Sequence, residues 1–527
     1  MTATRRTAGR FSLRRDAALA EQARRGGWWV DTTLADALAL AAADTPERVL
    51  LVDGETRLTA AALHTQARAL AGAMQARMAP GSTVSFMLPN WHEAAVVYLA
   101  ATLAGMVVNP ILPSLRAHDL GFILADADTR MIFVPGQFRG FDYAAMLARV
   151  TGAMASPPQL VVVRGEGEAF AALLSEGGKF LSPMLNANDV RMVMYTSGTT
   201  GRPKGVLHTH NSLHALLRQI GQHWLVEPGD SFLVASPISH IGGSIYAFEA
   251  PLLLGSRAVL MDQWDAAAAG ALMLAERITH MAGATPFLAM LLEAARAAGT
   301  RLPDLKVFIC GGASVPPALI REACVYFANA CVSRVYGSTE VPVTTVGSFA
   351  ARGMDEAAET DGLPGIAEVV LGEGSEIRAR GPQMLAGYLH QEDEDGAFDA
   401  AGFYRTGDQG ELGPSGHLTV TGRIKDLIIR NGENIAPKEI EDLLLAHPAI
   451  AEIAIVGLPD PRTGERACAV IVPAPGAAPT VADLAQFLGA AGVAKFKYPE
   501  LVDLRSSLPK NEAGKVLKHV LRAELKP

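Results

Sequence analysis

The sequence predicts an α/β protein with largely parallel sheets, and three observations carry that expectation. Short runs of β-branched and apolar residues recur along the chain, among them "STVSFML", "RMIFV", "LVVVRG", "RMVMYT", "SFLVAS", "RAVLM" and "KVFIC". Alanine- and leucine-rich stretches with helical spacing, such as Asn211 to Gln219 and "PFLAMLLEAARAAG", lie between most of them. Near residue 400 the texture changes to glycine- and aspartate-rich alternation, which fits short twisted antiparallel strands. At 527 residues the chain is too long for one hydrophobic core, so at least two domains are expected.

The N-terminal stretch "MTATRRTAGRFSLRRDAALAEQARRGG" is arginine-rich but lacks the apolar core of a secretory signal; an organelle transit sequence stays open, and residues 1–28 are expected to be a solvated, partly ordered leader. The longest apolar run, Ala94 to Leu112, is about long enough to span a bilayer, yet Gly105, Asn109 and Pro110 break it. A buried helix followed by a strand is expected there, with no membrane span. Downstream, "APKEIEDLLLAHP" reads as a helix: Pro437 suits its first turn, Ile440, Leu443 and Leu444 form one apolar face, and Pro448 ends it. "AEIAIVGL" and "ACAVIVP" follow as two strands. This C-terminal part therefore reads as a small separate α+β domain, jointed around Gly422 to Asp426. No repeat of solenoid length is present.

Composition narrows the function classes. Hydrophobic residues make up 49% and charged ones 19%, a globular balance. With 46 basic and 54 acidic residues the net charge is −8, which leaves no global basic surface for nucleic acid. Cys310, Cys324, Cys331 and Cys468 show no CxxC and no zinc-like spacing with histidine, so a reducing cytoplasm is the expected compartment. His208 and His210 share one face of a strand but have no third ligand near, which favours packing or hydrogen bonding over a metal.

One stretch points to chemistry. "YTSGTTGRPKGV", Tyr195 to Val206, sets glycines, hydroxyl side chains and a lysine directly after an apolar strand. Freed backbone N–H groups, hydroxyl donors and a point-charge lysine suit a polyphosphate. It is not a Walker A loop: counted from Gly198, Pro203 stands where the second glycine is needed, and Gly205 follows Lys204 in place of a hydroxyl. From these residues alone a flexible polar turn stays open as the rival reading.

The loop resembles the signature loop of the adenylate-forming superfamily, which includes acyl-CoA synthetases, luciferase-like enzymes and stand-alone aryl-acid adenylating enzymes. Four further segments stand in that family's order and approximate spacing: "VYGSTE" (Val335 to Glu340), "GFYRTGDQGEL" (Gly402 to Leu412), "TGRIKDLIIRNGENIAPKEIE" (Thr421 to Glu441) and "LPKNEAGKVLK" (Leu508 to Lys518). The resemblance implies a large N-terminal domain of layered α/β sheets plus a distorted β-barrel over residues 29–424. A small mobile α+β lid domain over residues 425–527 would carry a catalytic lysine. The implied reaction is ATP-dependent activation of a carboxylate as acyl-AMP, with pyrophosphate release, then acyl transfer to the thiol of coenzyme A. A carboxylate is already ionised at neutral pH, so the first step needs positioning and charge relief rather than a general base.

By the same resemblance Thr196, Ser197, Gly198, Thr199, Thr200, Gly201 and Lys204 meet the β- and γ-phosphates. Gly312, Ala313, Tyr336, Gly337, Ser338 and Thr339 surround the adenine and α-phosphate. Glu340, with Thr200, is the implied Mg²⁺ ligand, Asp408 the acceptor of the ribose hydroxyls, and Arg423 a second ribose contact. Lys515 is implied to reach the α-phosphate, and the implied catalytic set is Lys515, Thr196, Glu340 and His240. Lys425 matches the family's hinge residue between the two half-reactions. Gly432 matches the glycine beneath the pantetheine arm, with Arg430, Glu433 and Lys495 as further coenzyme A contacts.

The acid is read from Ser236 to Phe248, which resembles the family's acyl-pocket border. His240 matches a gate between acyl and thiol tunnels, and Ile241 stands where enzymes for 2-hydroxylated benzoates carry asparagine. Gly242, Gly243, Gly312 and Ala313 are expected to leave space, and Tyr246, Val341 and Pro342 to supply apolar walls. With no charged side chain among these, a compact apolar monocarboxylate is expected. The C-terminal third resembles enzymes for cyclohexanecarboxylate-type and medium-chain fatty acids. Two other readings stay open: an adenylating enzyme that loads the phosphopantetheine of a carrier protein, and a non-catalytic nucleotide-binding relative. A homodimer is a further option.

Overall fold

All seven short apolar runs are strands, four in one sheet and three in another. The computed structural model describes residues 4–165, 169–196, 202–311, 315–327, 329–349, 354–430, 433–460, 462–491, 493, 495–511 and 514–525. The first sheet runs in the order Gln159–Val163, Thr129–Pro135, Thr83–Phe86, Val107–Pro110, Val190–Thr196, Lys204–Thr209, Gly387–Tyr388. Its first five strands pair in parallel, and the last two join antiparallel. The second runs Cys331–Val335, Val307–Gly311, His280–Gly283, Ser231–Val234, Arg257–Leu260, Val49–Asp53, Thr56–Thr59, parallel until its closing hairpin. Helix His92–Leu103 is buried on almost every side, as a helix apolar all round must be. It passes through Gly105, at φ 70°, into strand Val107–Pro110. No helix among the described residues is long and apolar enough to cross a membrane.

The alternating region forms a four-stranded antiparallel sheet, Glu368–Leu371, Glu376–Arg380, Tyr404–Leu412 and Leu418–Arg423, where a distorted barrel was expected. Past it lies a smaller sheet whose long strands Ile450–Asp460 and Gly464–Pro473 pair antiparallel. Helix Pro437–Leu444 buries Ile440 and Leu444 on it, beside Ile428, Ile455 and Leu484.

The N-terminal stretch differs from its expectation. Thr4–Ala8 and Phe11–Arg15 form an antiparallel hairpin, and Ala17–Arg25 is a helix capped by Asp16. The physical reason lies in "FSLRR": alternation turns Phe11 and Leu13 inward against Val107, Val193 and Leu207, while the arginines find carboxylates.

Candidate active site

Strand Cys331–Val335 lies at one edge of the second sheet and delivers Tyr336 at its carboxyl end, the side of an open α/β sheet where ligands bind. The Tyr336 hydroxyl donates to Asp408 Oδ2 at 2.7 Å, and Arg423 Nε donates to Asp408 Oδ1 at 2.7 Å. Asp408 and Arg423 are direct cross-strand partners in the four-stranded sheet. Burial, with Asp408 adding to it, pushes the Tyr336 hydroxyl well above its ordinary pKa. At Gly337 a Cβ would stand 2.6 Å from the Val343 backbone nitrogen, so this turn admits only glycine.

Lys515 reaches this cluster from the C-terminal domain. Its backbone N–H donates to Asn511 Oδ1 at 2.8 Å, and Gly514, at φ +77°, lies against Ala284 and Pro286 of the larger domain. Burial first, and the Arg423 guanidinium second, lower its ammonium to about 8, while Asp408 and Asp426 oppose that shift. Tyr336, Asp408, Arg423 and Lys515, from four motifs, thus form one cluster of interacting groups.

At the other end, Thr196 and Lys204 face each other across the antiparallel pair Val190–Thr196 and Lys204–Thr209. Ser197, Gly198, Thr199, Thr200 and Gly201, like Gly312, Ala313 and Gly432, lie outside the described residues. Lys204 Nζ donates to the Asp393 carbonyl at 3.3 Å, and Arg202 Nη2 donates to Asp393 Oδ1 at 3.0 Å. Glu340 is only 8% exposed, and its Oε1 accepts the Tyr388 hydroxyl at 3.0 Å. No cation pairs with it among the described residues. A buried carboxylate supported by hydroxyls and lacking a counter-ion fits a hard divalent cation. Ser338 Oγ accepts from the Val341 N–H at 3.2 Å. His208 Nε2 donates to the Thr339 carbonyl at 2.7 Å, and burial lowers its imidazole to about 4. His210 Nδ1 accepts from the Leu34 N–H at 3.3 Å. Both histidines are therefore hydrogen-bonded in the core. Asp53, His92 and Glu93 lie close enough to hold a metal, but Arg164 donates to Asp53 and Glu93 and meets that charge itself.

The acyl-side residues divide. His240 stands just before the short helix Ile241–Ser244 without a side-chain bond to it, and burial lowers its imidazole, which keeps it neutral. Ile241 is half-buried, and a Cβ on Gly242 would meet nothing within 4 Å. Gly243 does not open space: a Cβ there would stand 2.1 Å from the Pro237 carbonyl oxygen. Tyr246 belongs to the core, stacked on Phe232 at 5.2 Å. Val341 packs with Val206, Leu385 and Tyr388, and Pro342 is buried beside it. Of the expected coenzyme A contacts, Arg430 is held by two 2.9 Å hydrogen bonds to Glu500, and Lys495 is exposed. Glu433 pairs with Arg430 across strands Ile428–Arg430 and Glu433–Ile435. Lys425 lies in the turn Ile424–Asp426, directly after Arg423.

The AMP-binding enzyme family matches residues 38–389, and the AMP-binding enzyme C-terminal domain matches residues 439–515. The chain belongs to this adenylate-forming family. It is 32% identical over 98% of its length to the medium-chain fatty-acid–CoA ligase of Escherichia coli K12, of which 94% is covered. It is 33% identical over 94% of its length to a Rhodococcus jostii RHA1 CoA ligase for a propanoyl group bearing a methyl-dioxo-octahydroindenyl ring, of which 99% is covered. Its fold overlays the o-succinylbenzoate coenzyme A synthetase of Bacillus subtilis, solved with ATP and a magnesium ion, with TM-score 0.81 and 25% identity, over 93% of this chain and 99% of that one.

In this adenylate-forming enzyme several site neighbours escaped the sequence reading. Tyr388, Asp393 and Tyr404 surround Glu340 and Lys204, yet a lone tyrosine at a strand end or an aspartate in a short turn carries no periodic signal. Arg191 and Glu249, each 1% exposed, pair at 2.7 Å and tie the strand leading to Thr196 to the π-helical turn Ile245–Glu249. A charged residue inside the apolar run "VRMVM" was the available clue.

Proposed function

We propose that this adenylate-forming enzyme joins a compact apolar monocarboxylate to coenzyme A through an acyl-AMP intermediate. The observation that carries the reading is the placement of Lys515 beside Asp408 and Arg423. Thr196 and Lys204, with the loop between them, would take the β- and γ-phosphates. Asp408 would exchange its present donors for the two ribose hydroxyls. Glu340 would hold Mg²⁺, which when bound offsets phosphate charge. With its pKa at about 8, Lys515 stays mostly protonated at neutral pH, ready to neutralise charge as the carboxylate attacks and pyrophosphate leaves. The C-terminal domain would then turn about Lys425, and the pantetheine would pass over Gly432. The boundaries 29–424 and 425–527, and a cytoplasmic location, belong to the same proposal. Coenzyme A and an aliphatic or alicyclic acid are supported by the two curated relatives, and the open space at Gly242 suits such an acid.

The test is Lys515→Ala. Loss of this donor should cost about 3–4 kcal/mol, or 10²–10³ in acyl-adenylate formation. Transfer from supplied acyl-adenylate to coenzyme A should stay near the parent rate. Unimpaired adenylation, or equal loss in both steps, would overturn the assignment. A panel of aliphatic, alicyclic and aromatic acids, scored for pyrophosphate and thioester, then fixes the substrate.

A further inference from the structure

The segment from Tyr388 to Glu394, which no motif marks, meets the phosphate-loop region repeatedly. The Tyr388 hydroxyl donates to Glu340 at 3.0 Å. His390 Nε2 donates to Asp126 Oδ1 at 2.7 Å, while Asp126 Oδ2 accepts the Tyr195 hydroxyl at 2.7 Å. Asp393 receives both Arg202 and Lys204. Tyr195 immediately precedes Thr196, so both ends of the stretch from Thr196 to Lys204 are tied to this one segment. Gln391–Glu394 is a single 3-10 turn, too short to keep its shape through its own hydrogen bonds. It also carries two adjacent carboxylates, Asp393 and Glu394, whose side chains are only 6% and 5% exposed and need partners.

Glu394 Oε1 accepts from the Tyr388 N–H at 3.3 Å, and its charged partners come from the far end of the chain. Arg5 donates from Nη1 to Oε2 at 2.8 Å and from Nη2 to Oε1 at 3.3 Å, a forked pair. Arg14 Nη1 adds a contact at 3.4 Å to Oε2, and its guanidinium lies 3.6 Å over the Phe398 ring. Arg5 is itself fixed within its hairpin, where Nη2 donates to the Ser12 carbonyl at 2.6 Å and Nε to the Ser12 hydroxyl at 2.7 Å. The Arg14 N–H also donates to the Ala386 carbonyl at 2.8 Å, which docks the hairpin on the strand that opens this segment. We propose that Arg5 and Arg14, acting through Glu394, are positioning residues for ATP: they hold the turn whose Asp393 sets the place of Arg202 and Lys204. The proposal rests on reading Thr196 to Lys204 as the phosphate loop.

The test compares the full-length parent with Arg5→Ala/Arg14→Ala and with Glu394→Gln. ATP-dependent pyrophosphate exchange and acyl transfer from supplied acyl-adenylate to coenzyme A are measured on each. The KM for ATP is expected to rise about tenfold with kcat nearly unchanged, while the transfer step stays at the parent rate. Arg5→Lys/Arg14→Lys, which keeps the charge but not the fork, should recover part of that loss. A KM within about twofold of the parent overturns the proposal, and so does a parallel fall in exchange and transfer, which marks mere structural support. If the double variant does not fold, Arg5→Ala alone carries the same measurement. A parent with no ATP–pyrophosphate exchange at all would instead sink the phosphate-loop reading.

Discussion

At the proposed nucleotide end, Tyr336, Asp408, Arg423 and Lys515 arrive from separate segments and meet through charge and hydroxyl contacts. At the proposed acyl end, His240 to Tyr246 is one continuous stretch that meets its surroundings largely through packing. Under the proposed function the first arrangement answers what a phosphate and a ribose need, with one chemical task for each group. The second is set by how a helix and its π-helical turn fit against a strand end, so one residue type there can do opposite jobs. Gly242 and Gly243 make the point: one faces open space, and the other touches a backbone carbonyl.

That contrast can be broken by experiment. The largest effect is expected from Asp408→Ala, which removes charged hydrogen bonds worth about 1.5–3 kcal/mol each. The KM for ATP should rise on the order of 10²-fold, with the ranking of acids unchanged. A reordering of acid preference in that variant would mean the two ends are not separable. Next come the neighbouring glycines. Gly243→Ala should lower the melting temperature through overpacking, at a cost of about 1–3 kcal/mol. Gly242→Leu should leave melting alone yet cut kcat/KM for bulky acids by about tenfold, while short acids are spared. Equal behaviour of the two variants would erase the distinction drawn from their surroundings. The smallest effect is a pH dependence. Lys515 is charged below its pKa of about 8, so ATP affinity should be full near pH 7 and fall severalfold as pH rises through 8 toward 9. Titration calorimetry across that range should show the decline in the parent and a flat profile in Lys515→Ala.

The parallel sheets were legible because their strands, buried on both faces, read as unbroken apolar runs. Strands His280–Gly283 and Cys331–Val335 were harder to see, since "HMAG" and "CVSRV" carry polar residues that the structure buries with partners. At the candidate site, the residues proposed to act directly stood out because they sit in motifs. Residues that act through a neighbour, such as Tyr388 and Asp393, did not, because their meaning lies in contacts far apart in sequence. Gly243 was read as space for the same reason: sequence shows that a side chain is missing, not what fills its place.

The docked N-terminal hairpin also bears on biosynthesis. Arg5 and Glu394 are 389 positions apart, so the hairpin leaves the ribosome long before the carboxylate that its arginines pair with. At about 5–20 residues per second the arginines wait roughly 20–80 seconds for Glu394, whereas the apolar partners of Phe11 and Leu13, Val107, Val193 and Leu207, emerge earlier. Until Gly387–Tyr388 is made, strand Lys204–Thr209 keeps one edge without its partner, the kind of edge through which chains pair with one another during synthesis.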